Sequence, residues 1–516
     1  MSGGTKVCKI VAQVELDIPS SVQDLTDIAK EVESFYPVIR TPDTTHRILI
    51  PRFDLEKTSQ SRIHKILSSQ IESWSRGLNG QNRKGVESEI KQNIVAYHTV
   101  KLAGYLIQQL VQAQETGDLY STPLNHLWNL YMNPEKEKVV RDFCLQAFPD
   151  LYFLVDPMTG RYRIKMSYEN PESVNLNIRE SQAREFYNNA KPIEDFGTGV
   201  QLFVGLAAAI IGLNQKFILL DDPAVFLHPP LARLFGKMMT QTAKARSGQL
   251  FVSTHSAEFL YGCIEESDDI TVVRFTYDSK NDLGTTRKVD KADLKELTKN
   301  ALLKSAEVYR ALFHKGAIIT EGHPDRVFYD AVNQILLETG EGVSDTQFIS
   351  TQGGGIADKI IGPLRRVGIP AVAIVDFDVA FDGKASLEKL MTACQIPSSI
   401  LTNMNATRSK LQTEWHKIGR KDMKIKGLTS IIDVKTNTET SQYLQQLSQY
   451  GLNIVPTGVL ESWFREFQIN RADYDGVRDF LTGVENGTIT TRIGGVWDFM
   501  RSIKKWIENP GRLGIK

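Results

Sequence analysis

The order of apolar and polar residues divides the chain into segments with different periodicities. Residues 6–18 and 46–54 alternate apolar and polar positions and are rich in Val and Ile, which predicts strands. Between 55 and 148 apolar residues recur every three to four positions, as in "SRIHKILSSQIESW" and "YHTVKLAGYLIQQLVQAQ", which predicts helices. The Gly- and Asn-rich run Arg76–Gly85 predicts an exposed loop inside this helical region.

The middle of the chain mixes turns, strands and helices. In order, its pattern predicts a hairpin that turns at Asp156–Gly160, a helix that begins within Asp195–Ala209, a buried strand at 216–222, a helix from about 229 and a strand at Gly248–Ser256. After residue 300, apolar strands alternate with helices in "KGAIITEGHPDRVFYDAV" and "GIPAVAIVDFDV", which predicts a parallel sheet. From about 385 the pattern is mostly helical, with a short strand in "LNIVPTG".

Composition and charge narrow the class of protein. The 516 residues allow two to four domains, and 61 Lys+Arg balance 61 Asp+Glu. A balanced charge gives no basic field over the whole molecule, although one basic face can still bind nucleic acid. The four cysteines are far apart and form no C-x-x-C pair, which argues against a zinc ribbon or a disulfide framework. No apolar run is long enough to cross a membrane, which predicts a soluble, cytoplasmic protein.

The first candidate site begins at the buried strand "KFILLDDP". Asp221 is placed to hold a water of a bound Mg²⁺, and Asp222 lies where a water-polarising acid is expected. His255 ends the later strand "FVSTHS" and is placed to contact a γ-phosphate. Upstream, Gly197, Thr198 and Gly199 open a helix whose free N–H groups favour a phosphate. Alone, each pattern also fits a strand end, a core histidine or a tight turn; together, in this order, they favour a nucleotide site.

The glycine-started helix, "LLDDP", "LHP" and "STHS" resemble the second half of an ABC-type ATPase of the RecF/SMC/OLD group. In that group the signature loop acts on a nucleotide bound by the partner subunit. The sequence departs from the group in two ways: Asp222 replaces the usual catalytic Glu, and no G-x-x-x-x-G-K-[ST] phosphate loop (Walker A) is found. Either the true start lies upstream of Met1, or this domain has lost its phosphate cradle and serves as a scaffold. ATP therefore stays a possible ligand.

The second candidate site consists of acids that follow apolar strands. Glu321 ends the strand "AIIT" and Asp325 enters the next helix, while Asp376 and Asp378 are expected two apart on one face of a strand. At the carboxyl ends of adjacent parallel strands these acids should converge. Oxygen ligands with no Cys or His nearby select Mg²⁺ or Mn²⁺. Independent solvated strand ends are the alternative.

E-G-x-x-D, G-G-G and D-x-D in this order resemble the TOPRIM domain shared by topoisomerases, DnaG-type primases and OLD nucleases. The resemblance implies that Glu321 acts as general acid/base or metal ligand, that Asp376 and Asp378 bind metal, and that Asp325 is a further ligand. It also makes Glu461, in "VPTGVLESWF", a candidate ligand of a second ion. Weaker candidates are Asp382, which equally fits a turn, Lys424 and Lys426, for which the pattern favours a solvated loop, and His323, for which it favours a turn residue over a base.

An ABC-type ATPase domain without its Walker A segment, followed by a Rossmann-like TOPRIM domain, resembles the OLD (overcoming lysogenization defect) family. The resulting α/β architecture has three parts: an ATPase-like domain at 1–308 with a helical insertion at 55–148, a TOPRIM core at 309–400, and a helical extension at 401–516. The resemblance implies a metal-dependent DNA endonuclease with two ions, acting on double-stranded DNA in antiphage defence. It further implies a homodimer or larger homo-oligomer and an accessory defence protein or retron nucleic acid as partner.

Two other functions stay open. One is a RecF/SMC-like DNA-binding sensor or scaffold that does not cleave DNA. The other is a different TOPRIM enzyme, a primase or topoisomerase, although the sequence has neither the zinc-binding cysteines of a primase N-terminus nor an evident topoisomerase tyrosine.

Overall fold

The computed structural model describes two strands between 47 and 67 by their backbone and most of the chain beyond residue 98. The described ranges are 47–52, 62–67, 99–116, 125–246, 248–267, 269–278, 282–289, 292, 306–351, 356–381, 384–469 and 474–515. The predicted strand at 6–18 and the predicted loop at Arg76–Gly85 lie outside these ranges. The chain divides into two compact units, residues 1–259 and 260–516. None of the described helices is long and apolar enough to span a bilayer.

Unit 1 contains a small parallel sheet, an antiparallel hairpin and a buried helix. Its elements are β1 Arg47–Arg52, β2 Arg62–Leu67, β3 Thr99–Ala103, α1 Ile107–Val111, β4 Gln114–Glu115, α2 His126–Met132, α3 Pro134–Ala147, β5 Tyr152–Asp156, β6 Arg161–Ser167, α4 Ser181–Asn189, β7 Lys191–Pro192, α5 Thr198–Gly212, β8 Phe217–Asp221, α6 Pro229–Ala245 and β9 Gln249–Ser253. Strands β3, β8 and β9 are parallel and neighbours in that order.

Helix α5 is the centre of the unit 1 core, because its run from Leu202 to Gly212 is buried on all sides. Glycines let neighbouring helices approach it: a Cβ on Gly205 would lie 2.9 Å from the Leu110 side chain, and one on Gly212 would lie 2.6 Å from the His126 carbonyl oxygen. The predicted hairpin, the α5 and α6 helices and the strands at 217 and 249 are confirmed.

Two predicted helical stretches in unit 1 are wrong in part. Residues 62–67 form β2, which pairs antiparallel with β1, and residues 99–103 form β3, which pairs parallel with β8. In β3 the apolar positions Val100 and Leu102 are two apart and both buried. That two-residue spacing puts both side chains on one face of a strand, and pairing with β8 fixes this segment as a strand although the longer run around it repeats every three to four positions.

Unit 2 is a four-stranded parallel sheet between two helical layers. Its elements are α7 Ala257–Glu266, β10 Val272–Asp278, β11 Leu283–Val289, α8 Ala306–Ala311, β12 Gly316–Thr320, α9 His323–Leu337, β13 Thr346–Ser350, α10 Ala357–Arg366, β14 Ala371–Val375, α11 Asp378–Phe381, α12 Lys384–Ala393, α13 Ser398–Ile418, α14 Arg420–Lys426, α15 Val434–Ser448, β15 Leu452–Ile454, α16 Leu460–Glu466, α17 Tyr474–Glu485 and α18 Gly495–Glu508. Helix α7 begins three residues before the division between the units.

The strand order of the unit 2 sheet is β13-β12-β14-β15, and every neighbouring pair is parallel. Alternate residues enter opposite cores: Ile318 and Ile374 pack with α9 and α18, whereas Ile319 and Ala373 pack with α10 and α15. Because both faces are covered, β12 and β14 are buried throughout, and apolar residues fill both faces of each strand except for Thr320 at the end of β12. The predicted parallel sheet is confirmed.

The sequence places a domain boundary near 308, whereas the packing divides the chain after 259. The residues between these points contribute to the unit 2 core, since Tyr261, Ile264 and Val289 belong to the cluster that holds Ile319 and Ala373. Arg274 also donates to the carbonyl oxygens of Leu312 and His314 at 3.0 and 2.9 Å.

Candidate active site: an acid cluster at the switch point of the sheet

The order of strands in the unit 2 sheet reverses direction between β12 and β14, which makes this the switch point of the sheet. The connection after β12 leads to β13 on one side, and the connection after β14 leads to β15 on the other. Adjacent parallel strands whose connections leave in opposite directions open a crevice at their carboxyl ends, where α/β proteins bind ligands. Glu321 directly follows β12 and Asp376 directly follows β14, so the topology places both acids at this crevice.

The side chain of Glu321 contacts the backbone of Asp376. The Asp376 N–H donates to Glu321 Oε1 at 3.1 Å. Burial raises the pKa of Glu321 to about 7, and the charges of Asp378 and Asp325 add to this effect. Burial likewise raises the pKa of Asp376 to about 9, with further contributions from Glu321, Asp325, Asp378 and Glu461. The predicted acids are therefore close enough to oppose each other's ionisation.

Asp325 lies in the first turn of α9 and closes that turn. Its Oδ2 accepts a hydrogen bond from the Gly322 N–H at 3.1 Å. A side chain at position 322 would collide with this carboxylate, because a Cβ there would lie 2.4 Å from Asp325 Oδ2. Burial raises the pKa of Asp325, and the charge of Glu461 raises it further.

Asp378 does not share a strand with Asp376, which corrects the sequence prediction. Strand β14 ends at Val375, and Asp378 begins the short helix α11. Phe377 lies between the two acids and is fully buried against Trp415, so its packing turns the backbone out of the strand. The Phe377 N–H donates to the Gly458 carbonyl oxygen at 2.8 Å, which ties this turn to the segment after β15.

Glu461 is the fifth predicted ligand and lies in the first turn of α16, after β15. Its charge acts on Asp325 and Asp376, so the structure brings it to the same cluster. Asp382 and the glycines of "GGG" at 353–355 lie outside the described residues. We call the five acids Glu321, Asp325, Asp376, Asp378 and Glu461 the acid cluster.

Lys424 belongs to the site, whereas the sequence favoured a solvated loop for it. It lies on helix α14, and its Nζ is 2.5 Å from Asp378 Oδ2. The pKa of Lys424 is raised by this hydrogen bond and by the charges of Asp378, Asp376 and Glu321. Lys426, two residues later, instead pairs with Asp422 one turn back at 2.9 Å. Only the structure separates these two lysines, because their sequence contexts are nearly the same.

Helix α14 is held against the segment between β15 and α16 by close backbone contacts. A Cβ on Gly458 would lie 2.4 Å from the Lys424 carbonyl oxygen, and one on Gly427 would lie 2.2 Å from that of Pro456. Ser462 Oγ donates to the Ile425 carbonyl oxygen at 2.8 Å. These contacts fix the base of the Lys424 side chain relative to the acid cluster.

The floor of the site is a buried pair of aromatic residues. Trp463 Nε1 donates to the Tyr329 hydroxyl oxygen at 3.1 Å. Burial raises the pKa of Tyr329, and the charges of the nearby Asp325, Asp376 and Glu321 raise it further. The phenol thus adds a neutral polar group to the apolar floor.

The donor set consists of carboxylate oxygens, which suit Mg²⁺ or Mn²⁺. In the described part of the chain, however, no three Asp, Glu, His or Cys side chains stand close enough together to hold one ion as placed. Holding an ion would require the carboxylates to rotate toward each other. The electrostatics favour a divalent cation, because Lys424 pairs with only one of the five acids. The pKa values of Glu321 and Asp376 are raised to about 7 and about 9, and a bound cation would stabilise their ionised forms.

The unit 1 acids form a second, smaller group. Asp221 Oδ1 accepts from Ser253 Oγ at 2.6 Å, and its Oδ2 lies 3.8 Å from Lys101 Nζ. Asp222 has a left-handed backbone (φ 49°), and its Oδ2 lies 2.8 Å from His255 Nδ1. Burial raises the pKa of Asp222, against the lowering effect of His255. Asp222 Oδ1 is buried and has no hydrogen-bond partner among the described residues.

Gly104 fixes the position of Asp222, and the sequence analysis did not identify this glycine. The Gly104 N–H donates to the Asp221 carbonyl oxygen at 2.8 Å, and a Cβ at 104 would lie 2.2 Å from the Asp222 carbonyl oxygen. A glycine directly after a strand, in "KLAGYL", is the signal that could have revealed this. The predicted Gly197–Gly199 segment does open α5, but among the described residues no hydrogen bond joins it to Asp221, Asp222 or His255.

Comparisons with known proteins find an ATPase-type family model in part of unit 1 and a nuclease of low similarity. Residues 161–260 match a family model described as "AAA domain, putative AbiEii toxin, Type IV TA system". The chain is similar to an OLD nuclease of Thermus scotoductus, with 23% identity over 291 residues, 54% of this chain and 53% of the relative. The chain thus spans about half the length of this curated relative.

The similarity of this chain to solved structures is low. A SMC head bound to the C-winged helix domain of ScpA is 12% identical, with a TM-score of 0.28 over 40% of this chain and 61% of that one. A Pyrococcus furiosus Smc head with an extended coiled coil is 8% identical, with a TM-score of 0.25 over 54% and 52%. Such low TM-scores carry no argument about the fold. The findings support an α/β protein with an AAA-type ATPase domain and a distant relationship to a nuclease.

Proposed function

We propose that this protein is a divalent-metal-dependent DNA endonuclease of the OLD type, whose TOPRIM-like unit 2 hydrolyses phosphodiesters. The observation that carries the proposal is the pair Glu321 and Asp376, joined at 3.1 Å at the switch point of a parallel sheet, with three more acids around it. The similarity to an OLD nuclease over about half of the chain supports the same reaction.

The acid cluster would hold Mg²⁺ or Mn²⁺, with Glu321, Asp376 and Asp378 nearest the chemistry and Asp325 and Glu461 completing two ion sites. When bound, such ions activate water and stabilise the charge on the phosphate and the leaving oxygen. Glu321, with a pKa of about 7, can take or give a proton near neutral pH. Lys424 neutralises Asp378 and offers a cation to the phosphate.

Unit 1 would serve dimerisation and regulation, and its nucleotide chemistry is a separate part of the proposal. Asp222 and His255 form an acid–histidine pair in which Asp222 Oδ1 has no partner among the described residues, as expected for a group that orients water. Gly197, Thr198 and Gly199 would contact ATP held by a second copy. In this reading the protein is an antiphage effector, and an accessory defence protein or retron nucleic acid controls it.

Plasmid cleavage tests the nuclease proposal. Purified protein with Mg²⁺ or Mn²⁺ should nick or linearise supercoiled DNA, and Glu321→Gln or Asp376→Asn should abolish cutting while leaving the fold intact. Asp330→Asn is the matched control, because Asp330 lies on the same helix as Asp325 and, among the described residues, its side chain bonds only to Gln334, at 3.3 Å. Wild-type protein that binds DNA but cuts with neither ion would refute the proposal in favour of a DNA-binding scaffold.

ATP hydrolysis tests the unit 1 proposal independently. If unit 1 acts on ATP, phosphate release should be measurable and His255→Ala should remove it. Turnover that is absent from the wild type, or unchanged in His255→Ala, would leave unit 1 a scaffold without affecting the nuclease proposal.

A further inference from the structure

Three side chains outside the acid cluster form a hydrogen-bonded chain at its edge. His323 lies between the predicted ligands Glu321 and Asp325 in sequence and begins helix α9. Its Nε2 is 3.1 Å from Arg326 Nη2, and its Nδ1 is 2.6 Å from the Tyr474 hydroxyl oxygen, so the imidazole bridges α9 to the start of α17. The His323 and Tyr474 rings also pack together, with centroids 5.5 Å apart.

The direction of these hydrogen bonds follows from the donor inventory. A guanidinium has only N–H donors, so His323 Nε2 must accept from Arg326. The proton of the neutral imidazole is then on Nδ1, and it is donated to the Tyr474 oxygen. Because that oxygen accepts from His323, the phenolic hydrogen of Tyr474 is left to donate to something else. Tyr474 is 54% exposed, so its free donor is open to a ligand.

Arg326 adds a positive charge at the same place. Within the described part of the chain no carboxylate forms an ion pair with Arg326, and its Nε is buried without a hydrogen-bond partner. Lys424, by contrast, forms an ion pair with Asp378. The edge of a strongly acidic site therefore carries one guanidinium that has no ion-pair partner among the described residues, close to one exposed tyrosine hydroxyl.

We propose that Arg326 and Tyr474 bind a backbone phosphate of the DNA beside the acid cluster, and that His323 is a positioning residue that aims the Tyr474 hydroxyl at it. This inference rests on the proposed function. The acid cluster repels a polyanion, so a phosphate next to the scissile one needs a cation and donors of its own. A guanidinium and a tyrosine hydroxyl supply charge-assisted hydrogen bonds of the kind that hold phosphates in protein–DNA complexes.

DNA binding with the metal chelated tests the contact apart from cleavage. The probe is a fluorescein-labelled linear duplex, followed by fluorescence anisotropy in EDTA. Tyr474→Phe should weaken binding roughly tenfold, the effect of losing one hydrogen bond to a charged group. His323→Leu should cost the same, and the double variant no more than either, because both remove one donor. His323→Asn, whose amide can replace Nδ1–H, should restore most of the affinity.

Salt dependence separates the charge from the hydroxyl. Arg326→Gln should lower the slope of log affinity against log salt concentration by about 1, because one phosphate contact is lost. Arg326→Lys should keep the slope, and Tyr474→Phe should leave it unchanged while lowering affinity. Tyr168→Phe is the matched control: that tyrosine is 62% exposed but belongs to unit 1.

The possible results distinguish the two proposals. Wild-type affinity in Tyr474→Phe, or additive losses for His323→Leu and Tyr474→Phe, would overturn the phosphate contact even if the protein cuts DNA. The predicted binding losses in a protein that never cuts DNA would refute the nuclease proposal and keep the phosphate contact. Circular dichroism and the melting temperature of each variant, near the wild-type values, show that the losses do not come from unfolding.

Discussion

Lys424 and Lys426 show, at the residue scale, that two lysines only two positions apart can have different roles. Both belong to "KDMKIKG", and charge alone would treat them alike. On helix α14, however, Lys424 faces Asp378, whereas Lys426 faces Asp422 and solvent. A lysine that pairs with a half-buried acid inside a cluster of five acids offsets like-charge repulsion, while a lysine in an exposed pair contributes little.

Replacing Lys424 by Met should reduce DNA cleavage on the order of 100-fold, because one preorganised cation next to the reacting phosphate is lost. Lys426→Met is the same substitution but removes only the exposed ion pair with Asp422. We expect the cleavage rate of this variant to stay within about twofold of wild type. Initial rates of plasmid nicking under saturating metal measure both. Equal loss in the two variants would argue that Lys424 acts through general surface charge.

At the scale of elements, the site is assembled by the ends of strands and by one helix that is not next to them in sequence. Strands β12 and β14 bring Glu321 and Asp376 together, and β15 brings Glu461. Helix α14 brings Lys424 only because Gly427 and Gly458 allow the backbones to touch. Both glycines have positive φ, 53° and 113°, where other residues are strained.

Gly427→Ala should therefore displace α14 and lower cleavage along with stability. The added Cβ would meet the Pro456 carbonyl oxygen at 2.2 Å, and the melting temperature should fall accordingly. Gly487→Ala separates strain from collision, since Gly487 has a φ of 76° but no atom within 4 Å of an added Cβ. We expect Gly487→Ala to lower the free energy of unfolding by about 1 kcal/mol and to leave the rate of DNA cleavage unchanged. Differential scanning calorimetry measures the stability of both variants, and plasmid nicking measures their cleavage rates. Equal cleavage by Gly427→Ala and Gly487→Ala would contradict the prediction.

At the scale of the whole molecule, the two units should respond to pH in opposite directions. Unit 1 buries a histidine that burial keeps neutral: the pKa of His126 is lowered to about 4, against the opposing hydrogen bond with the Leu110 backbone. Unit 2 buries acids whose pKa values are raised. Protons therefore favour unfolding of the first unit and folding of the second across the same range of pH.

Unit 1 should lose stability in acid. A lowered histidine pKa means that the unfolded state binds the proton first, so stability is full above pH 6.5 and falls as pH drops toward 4, by about 3 kcal/mol. His126→Asn can keep a donor in place of Nδ1 but cannot titrate, and its melting temperature should change less over this window. Parallel curves for the two proteins would contradict the assignment.

Unit 2 should lose stability as pH rises from about 4 to about 9, unless a divalent ion is present. Its raised carboxyl pKa values mean that stability is full below the unfolded values near 4 and is lost as pH rises through about 7 and about 9. Mg²⁺ or Mn²⁺ binds the ionised acids, so the rise in melting temperature on adding metal should grow with pH. Asp376→Asn should flatten both dependences, and a metal effect that shrinks as pH rises would refute this prediction.

The sequence by itself determined the parallel sheet of unit 2 and the residues at its strand ends, because a fully apolar run ending in an acid has few other placements in a soluble protein. It also predicted the hairpin, α5 and the strands around Asp221 and His255, where turn residues and periodicity agree. It mistook β2 and β3 for helix, because short apolar repeats fit both periods until a partner strand pairs with them.

Only the tertiary structure decided which side chains meet. Asp378 lies outside strand β14 because Phe377 packs into the core against Trp415. Lys424 lies near the acids because Gly427 and Gly458 allow close contact between backbone segments that are distant in the chain. The raised pKa values of Glu321 and Asp376 likewise come from burial and from acids that are distant in the chain, such as Glu461, which lies 461 − 376 = 85 residues after Asp376. Such contacts depend on non-local packing, and a local pattern of residues does not encode them.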